Sequence, residues 1–292
     1  MKSISIYLKK IAMISFTLLS LNCTSQKIEL ESAQSQNIEF LIEQATNLWE
    51  KRSDTIAVKQ ANYFLGLAYN VKKTNTQITD LYIKSLFFQG MFLEEDNNIK
   101  DSLFLKGSEV AKNSVLNNNI FKKLVQNSSI GDSTFKILSA LSEAPKDLVT
   151  SMYWWATNKL WYLNTKPAIE RINERELLEV IMHRVISLEP NYDYGGAYRF
   201  FGVFYSRIPG VELSQSKTYF EKAISSNEAY LGNKVQMSEF YYQKSEDKTS
   251  FIKQLELVKS LDASMNNNSM AENLYYQKRA DKLLLQQYTL FE

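Results

Sequence analysis

Between Pro190 and Gly210 the chain sets small residues among aromatic ones along one helical stretch and then stops on Pro209-Gly210. A second helical stretch follows, with Ser216, Phe220 and Ala223 at offsets of four and three. Small, then large, then small is the layout needed where two helices cross closely, and it predicts a helix–turn–helix hairpin. Hairpins of this kind stack on one another and present extended binding surfaces rather than clustered reactive groups.

The same pattern recurs. Ile38, Leu41, Ile42, Ala45 and Leu48 are spaced for one helix, with Ala61, Leu65 and Ala68 on its partner. Leu81, Ile83, Leu86, Phe87 and Gly90 precede Gly107, Ala111 and Ser114, and Asn117 to Asn119 break that second helix. A helix holding Leu148, Met152, Trp155 and Leu160 is expected next, then one running from about 167 to 188. Further helices are expected over 235–242, 251–261 and from about Met270. Residues 118–145 read as less regular, with a turn cluster from Asn127 to Asp132. Only 9 Gly and 4 Pro occur in 292 residues, and no period-two strand pattern persists. These features predict an all-α, tetratricopeptide-like helical-hairpin solenoid over 37–292.

The first residues belong to an address rather than to that fold. Lys2, Lys9 and Lys10 precede an uncharged run from Ile11 to Leu21, too short to span a bilayer and suited to an export signal over 1–22. Cys23, the one cysteine, follows at once. That position suits bacterial lipoprotein processing, with residues 23–36 as lipidated Cys and polar tether. A cleaved signal with an incidental Cys, and an uncleaved anchor, stand as alternatives. Asn22 departs from the small residue usual before a lipidated cysteine. Without residues 1–22 the formal charge falls from +2 to −1, with 31 basic side chains against 32 acidic. No basic excess is left for nucleic acid. The expected location is the periplasmic side of the cell envelope, lipid-anchored, in the outer membrane rather than the inner.

Chemistry-bearing residues are sparse. One histidine, His183, and one cysteine exclude the usual zinc sites and the Ser–His or Cys–His nucleophiles. No phosphate loop is present, and no cofactor or metal is expected. Glu174, Glu176 and Glu179 mix with Lys166, Arg171 and Arg175 as a solvated helix face does. The aromatic block Tyr153, Trp154, Trp155, Trp161 and Tyr162 is different. Neighbouring helical residues point about 100° apart, so one Trp is expected in the core and the other on a groove or partner surface. Gly195 and Gly196 are expected to let helices approach. Tyr194, Arg199 and Tyr205 complete the candidate ligand or partner surface, with Arg199 facing either a ligand channel or a nearby acid.

Tyr194-Gly195-Gly196, Gly202, Tyr205, Pro209-Gly210 and the run from Lys217 to Ala223 resemble the T component associated with TRAP transporters, the tripartite, ATP-independent periplasmic uptake systems. The blocks Met152–Ala156 and Glu239–Tyr242 and the closing segment from Asn273 to Leu284 resemble it too, in the same order. Val211-Glu212 and Arg199 depart from the pattern. The resemblance implies a tetratricopeptide-like lipoprotein, trimeric, that docks the transporter's solute-binding protein and passes it an apolar or organic-acid ligand. It implies no enzyme. The alternatives are a general interaction scaffold on the envelope membrane and, in another class, an envelope hydrolase or lyase.

Overall fold

The computed structural model describes residues 37–128 and 131–292. The export signal 1–22, Cys23, the tether 23–36 and part of the turn cluster, 129–130, lie outside the described residues. Among the described residues every regular element is helical and no strand occurs. The all-α hairpin architecture is the one expected from the spacing of small and large residues.

The chain opens with α1 (37–50), α2 (Thr55–Val71), α3 (Thr76–Phe92) and α4 (Asn97–Asn117). Two short helices, α5 (Asn119–Asn127) and α6 (Ser133–Ser142), occupy the segment read as irregular. A single 3-10 turn, Lys146–Leu148, then leads into α7 (Val149–Leu163). The helix expected over 167–188 is two, α8 (Ala168–Asn173) and α9 (Arg175–Leu188), joined at Glu174. The signature hairpin is α10 (Tyr192–Arg207) and α11 (Leu213–Ser226). The end of the chain forms α12 (Leu231–Met237), a π-helical turn (Ser238–Tyr242), α13 (Lys248–Ser260), α14 (Met270–Leu285) and α15 (Gln287–Leu290).

Polar side chains set many of the starts. Asp54, Asn75, Asp96, Asn118 and Asp132 each accept from a first-turn backbone N–H of the helix that follows. Each satisfies a donor that the helix itself leaves without a partner. Asp96, in the acidic run Glu94-Glu95-Asp96, is one of these caps.

The main core gathers Phe121, Met152, Trp155, Met182, Phe201, Phe204 and Phe220, where α7 lies between α4, α9 and α10. Close approach of α10 and α11 depends on Gly202. A Cβ there would lie 2.7 Å from Phe220 Cγ, and Ser216 Oγ donates to Gly202 O at 2.7 Å. A second core holds Leu231, Val235, Phe251, Leu255 and Tyr276 between α12, α13 and α14.

Helix α14 returns to the first hairpin and to α3. Arg52 pairs with Glu272 at 3.0 Å, Tyr275 Oη donates to Ser53 O at 3.2 Å, and the Tyr275 ring stacks on Phe92 with centroids 5.4 Å apart. The solenoid thus closes on itself through α14.

One acid in α3 is out of place energetically. Burial pushes Asp80 up to about 6 against the pull of Lys84. An unfolded chain releases that proton near pH 4, the folded one later, so stability falls as pH rises from about 4 to 6. Asp80→Asn removes that slope and leaves the variant with the higher urea midpoint at pH 7 but not at pH 4. Gly202→Leu overfills the α10–α11 crossing and costs about 1–3 kcal/mol in urea unfolding.

Candidate functional site

The start of α10 is not helical in the ordinary sense. Asp193, Tyr194 and Gly195 have φ of 49°, 61° and 76°, three left-handed residues in a row. Glycine takes this conformation freely, but Asp and Tyr do so only at a cost of about 1–2 kcal/mol each. The side chains around the turn hold it. Asp193 Oδ2 accepts from Arg199 Nη2 and from Tyr153 Oη, each at 2.5 Å. Arg199 Nη1 donates to Asn233 Oδ1 at 2.8 Å and to Asp193 O at 3.3 Å. Asn233 Nδ2 donates to Tyr194 O at 3.0 Å and Ala223 O at 2.8 Å. The guanidinium lies 4.7 Å from the Tyr230 ring centroid, and Tyr194 stacks on that ring at 4.6 Å.

This cluster is internal. Arg199 is 6% exposed. Burial works against its charge, and the oxygens of Tyr153, Tyr230 and Asp193 more than offset this, so its pKa is raised. Burial, then Asp193, pushes the Tyr153 hydroxyl well above its ordinary value. Of the two readings of Arg199, the structure takes the acid pair.

The expectation for the aromatic block fails in one respect. Trp154 and Trp155 are 6% and 3% exposed, so neither lies on a groove. Their side chains do point to different neighbours. Trp154 meets Phe87 of α3 at 5.0 Å, and Lys112 of α4 lies over Trp155 at 5.8 Å. Both are covered because α7 is enclosed by α3, α4, α9 and α10. Tyr153, Gly195, Gly196 and Tyr205 are buried as well, and Tyr194 is partly covered. Gly196 has no room for a side chain, because the Tyr153 hydroxyl occupies that space. Tyr205 packs on Phe201 at 5.2 Å and Tyr219 at 5.6 Å. The residues picked from sequence as a contact surface are brought together as an interior scaffold. Arg171, grouped with a solvated face, is also buried and donates to the carbonyls of Leu163 and Lys166. His183 is exposed beside Phe201.

Open space lies elsewhere. An aromatic cleft of about 320 Å³ sits between α3, α4, the end of α7 and α14. Phe92, Phe104, Trp161 and Tyr276 line it, and Lys100, Lys278, Arg279 and Lys282 ring it. Three carboxylates, Glu94, Glu95 and Glu239, reach it too, each tied to a cation: Lys59, Lys282 and Arg279. Lys100 forms no ion pair among the described residues. Burial, then Arg279 and Lys282 close by, pulls its pKa below the ordinary lysine value. Such a rim favours an anion above an apolar floor. A wider cleft of about 790 Å³ opens on the other side of the π-helical turn, lined by Arg171, Arg207, Lys244, Glu246 and the C-terminal residues. It is polar and open. Among the described residues no group of His, Cys, Asp or Glu is arranged to hold a metal, and no helix is long and apolar enough to cross a membrane.

The sequence matches the TRAP transporter T-component family over residues 90–291, most of the chain and all of both clefts except the final residue. The chain belongs to that family. No curated protein matches it. Membership ties this T-component to a TRAP transporter system as an accessory part, and so to the cell envelope.

Sequence reasoning on the T-component missed the cleft as a unit. Its pieces were in view: Glu239 and Arg279 fall in blocks that carry the resemblance, and Trp161 belongs to the aromatic block. What joins them is the return of α14 to α3, which no local spacing reveals.

Loss of the buried cation tests the scaffold role. Arg199→Met leaves Asp193 without its partner and lowers the T-component's stability by about 3–5 kcal/mol. Arg199→Met combined with Asp193→Asn recovers part of that loss, read from urea unfolding followed by helical circular dichroism.

Proposed function

We propose that this T-component is a lipid-anchored envelope protein that docks the solute-binding protein of its TRAP transporter and holds an apolar or organic-acid ligand on the way to that partner. The observation that carries the ligand half is the aromatic cleft. Its rings offer an apolar floor, and its four cations outnumber its three carboxylates. An aliphatic or aromatic tail fits the floor, with an anionic head at the rim.

Docking draws support from α2. Ile56, Tyr63, Leu67 and Val71 are exposed and share one face of that helix. An apolar stripe of this length suits a protein partner. The trimer is what the resemblance implies, and the signal-like start of the chain supports the anchor through Cys23, for which we propose the outer membrane as the site of attachment. Membership of the T-component family supports reading the protein as a non-enzymatic accessory component.

Membrane fractionation checks the anchor: Cys23→Ala moves the protein into the soluble fraction, and a wild type already soluble overturns lipidation. Docking is checked by retention of the purified solute-binding protein on immobilised T-component. Tyr63→Asp with Val71→Asp lowers retention at least tenfold if α2 is the docking face, about 1.4 kcal/mol or more. If the double variant changes only the oligomeric state, the stripe joins copies of the chain instead.

A further inference from the structure

Glu239 lines both clefts. It sits on the π-helical turn Ser238–Tyr242, where Gln243 N reaches back to Ser238 O at 3.1 Å. Such turns interrupt the regular spacing of an α-helix and recur at functional positions. On the side of the aromatic cleft, the Glu239 carboxylate accepts from both Nη2 and Nε of Arg279. Its side chain is 17% exposed. On the side of the polar cleft stands Arg207. Arg207 Nη2 donates to Asn164 O at 3.0 Å, while its Nε is buried with no hydrogen-bond partner among the described residues. The neighbouring Arg171 gives its bonds to backbone carbonyls, one of them Arg207 O at 3.3 Å. Neither of these two arginines has a carboxylate in an ion pair among the described residues.

One acid therefore lies between a satisfied guanidinium and an unsatisfied one. Its charge acts on both. Burial, then Arg171, pulls Arg207 below its ordinary pKa, and Glu239 opposes them. Burial likewise works against the charge of Arg279, and Glu239 reverses it, leaving that pKa raised. A buried guanidinium with an unmade N–H bond gains from any carboxylate that turns to it.

We infer that Glu239 is a resident counter-ion shared between two arginines: it holds Arg279 while the aromatic cleft is empty, and a ligand carboxylate entering that cleft takes Arg279 and turns Glu239 toward Arg207. The inference rests on the aromatic cleft being the ligand site. A fork of two N–H donors on Arg279 suits an incoming carboxylate as well as it suits Glu239, so the exchange conserves charge pairing. The move also satisfies the Arg207 Nε, which the empty state leaves without an acceptor. Because Glu239 lines both clefts, its turning joins them. A neutral ligand of the same shape has nothing to offer Arg279 and leaves Glu239 in place.

The test uses the full chain and two probes of matched shape, 4-phenylbutyrate and 4-phenylbutanol, titrated calorimetrically. Wild type is expected to bind the carboxylate more tightly than the alcohol. Glu239→Gln removes the competing charge and is expected to tighten the carboxylate about tenfold while leaving the alcohol unchanged. Arg207→Gln removes the alternative partner and is expected to weaken the carboxylate alone. If both probes bind wild type and Glu239→Gln leaves their ratio unchanged, the shared counter-ion is wrong and the cleft stands. If neither probe binds wild type, the cleft reading falls and the inference with it. Should Arg207→Gln fail to fold, the Glu239→Gln ratio decides alone.

Discussion

The buried pair of Arg199 and Asp193 is the interaction on which most of this structure depends. It fixes three left-handed residues at a helix start that sequence alone would continue as ordinary helix. It also gathers three elements: Tyr153 from α7, Asn233 from α12 and the turn itself. A charged group enclosed to this degree is costly unless every polar atom has a partner, and here the guanidinium is met by three side-chain oxygens, a carbonyl and an aromatic face. The arrangement specifies one docking geometry between the main core and the C-terminal helices, because a shifted α12 would part Asn233 from Arg199, Tyr194 and Ala223.

That geometry positions the clefts. Tyr230 carries Arg199 on one face and meets Tyr276 of α14 edge-on, with centroids 5.7 Å apart. Tyr276 in turn meets Phe92 of α3 at 5.1 Å and receives a hydrogen bond from Gln236. A continuous run of aromatic contacts thus leads from the buried ion pair to the wall of the aromatic cleft. The network holds in place the elements that line the cleft.

Much of the fold was legible because the packing rule is local. Ser216, Phe220 and Ala223 are all buried at the α10–α11 crossing, as their spacing required. The helix starts at Val149 and Met270 fell within a few residues of their expected places. The break at Glu174 was not visible, since no Gly or Pro marks it. The site was less legible. Aromatic residues adjacent in sequence drew attention to Tyr153, Trp154 and Trp155, but α7 is covered on all sides, and adjacency says nothing about how many neighbours a helix has. The cleft residues are spread from Gly90 to Lys282. Each alone reads as an ordinary surface cation or core ring, and only tertiary closure gives them a common purpose.

The closure of α14 onto α3 also sets an order of events during synthesis. One wall of the aromatic cleft emerges long before the other. Contacts so far apart in sequence form late, after the local hairpins have collapsed. A chain whose synthesis has not reached α14 therefore carries folded hairpins but no finished cleft, and a product clipped before α14 retains the main core while lacking one cleft wall. A finished cleft thus doubles as a record that synthesis has passed α14.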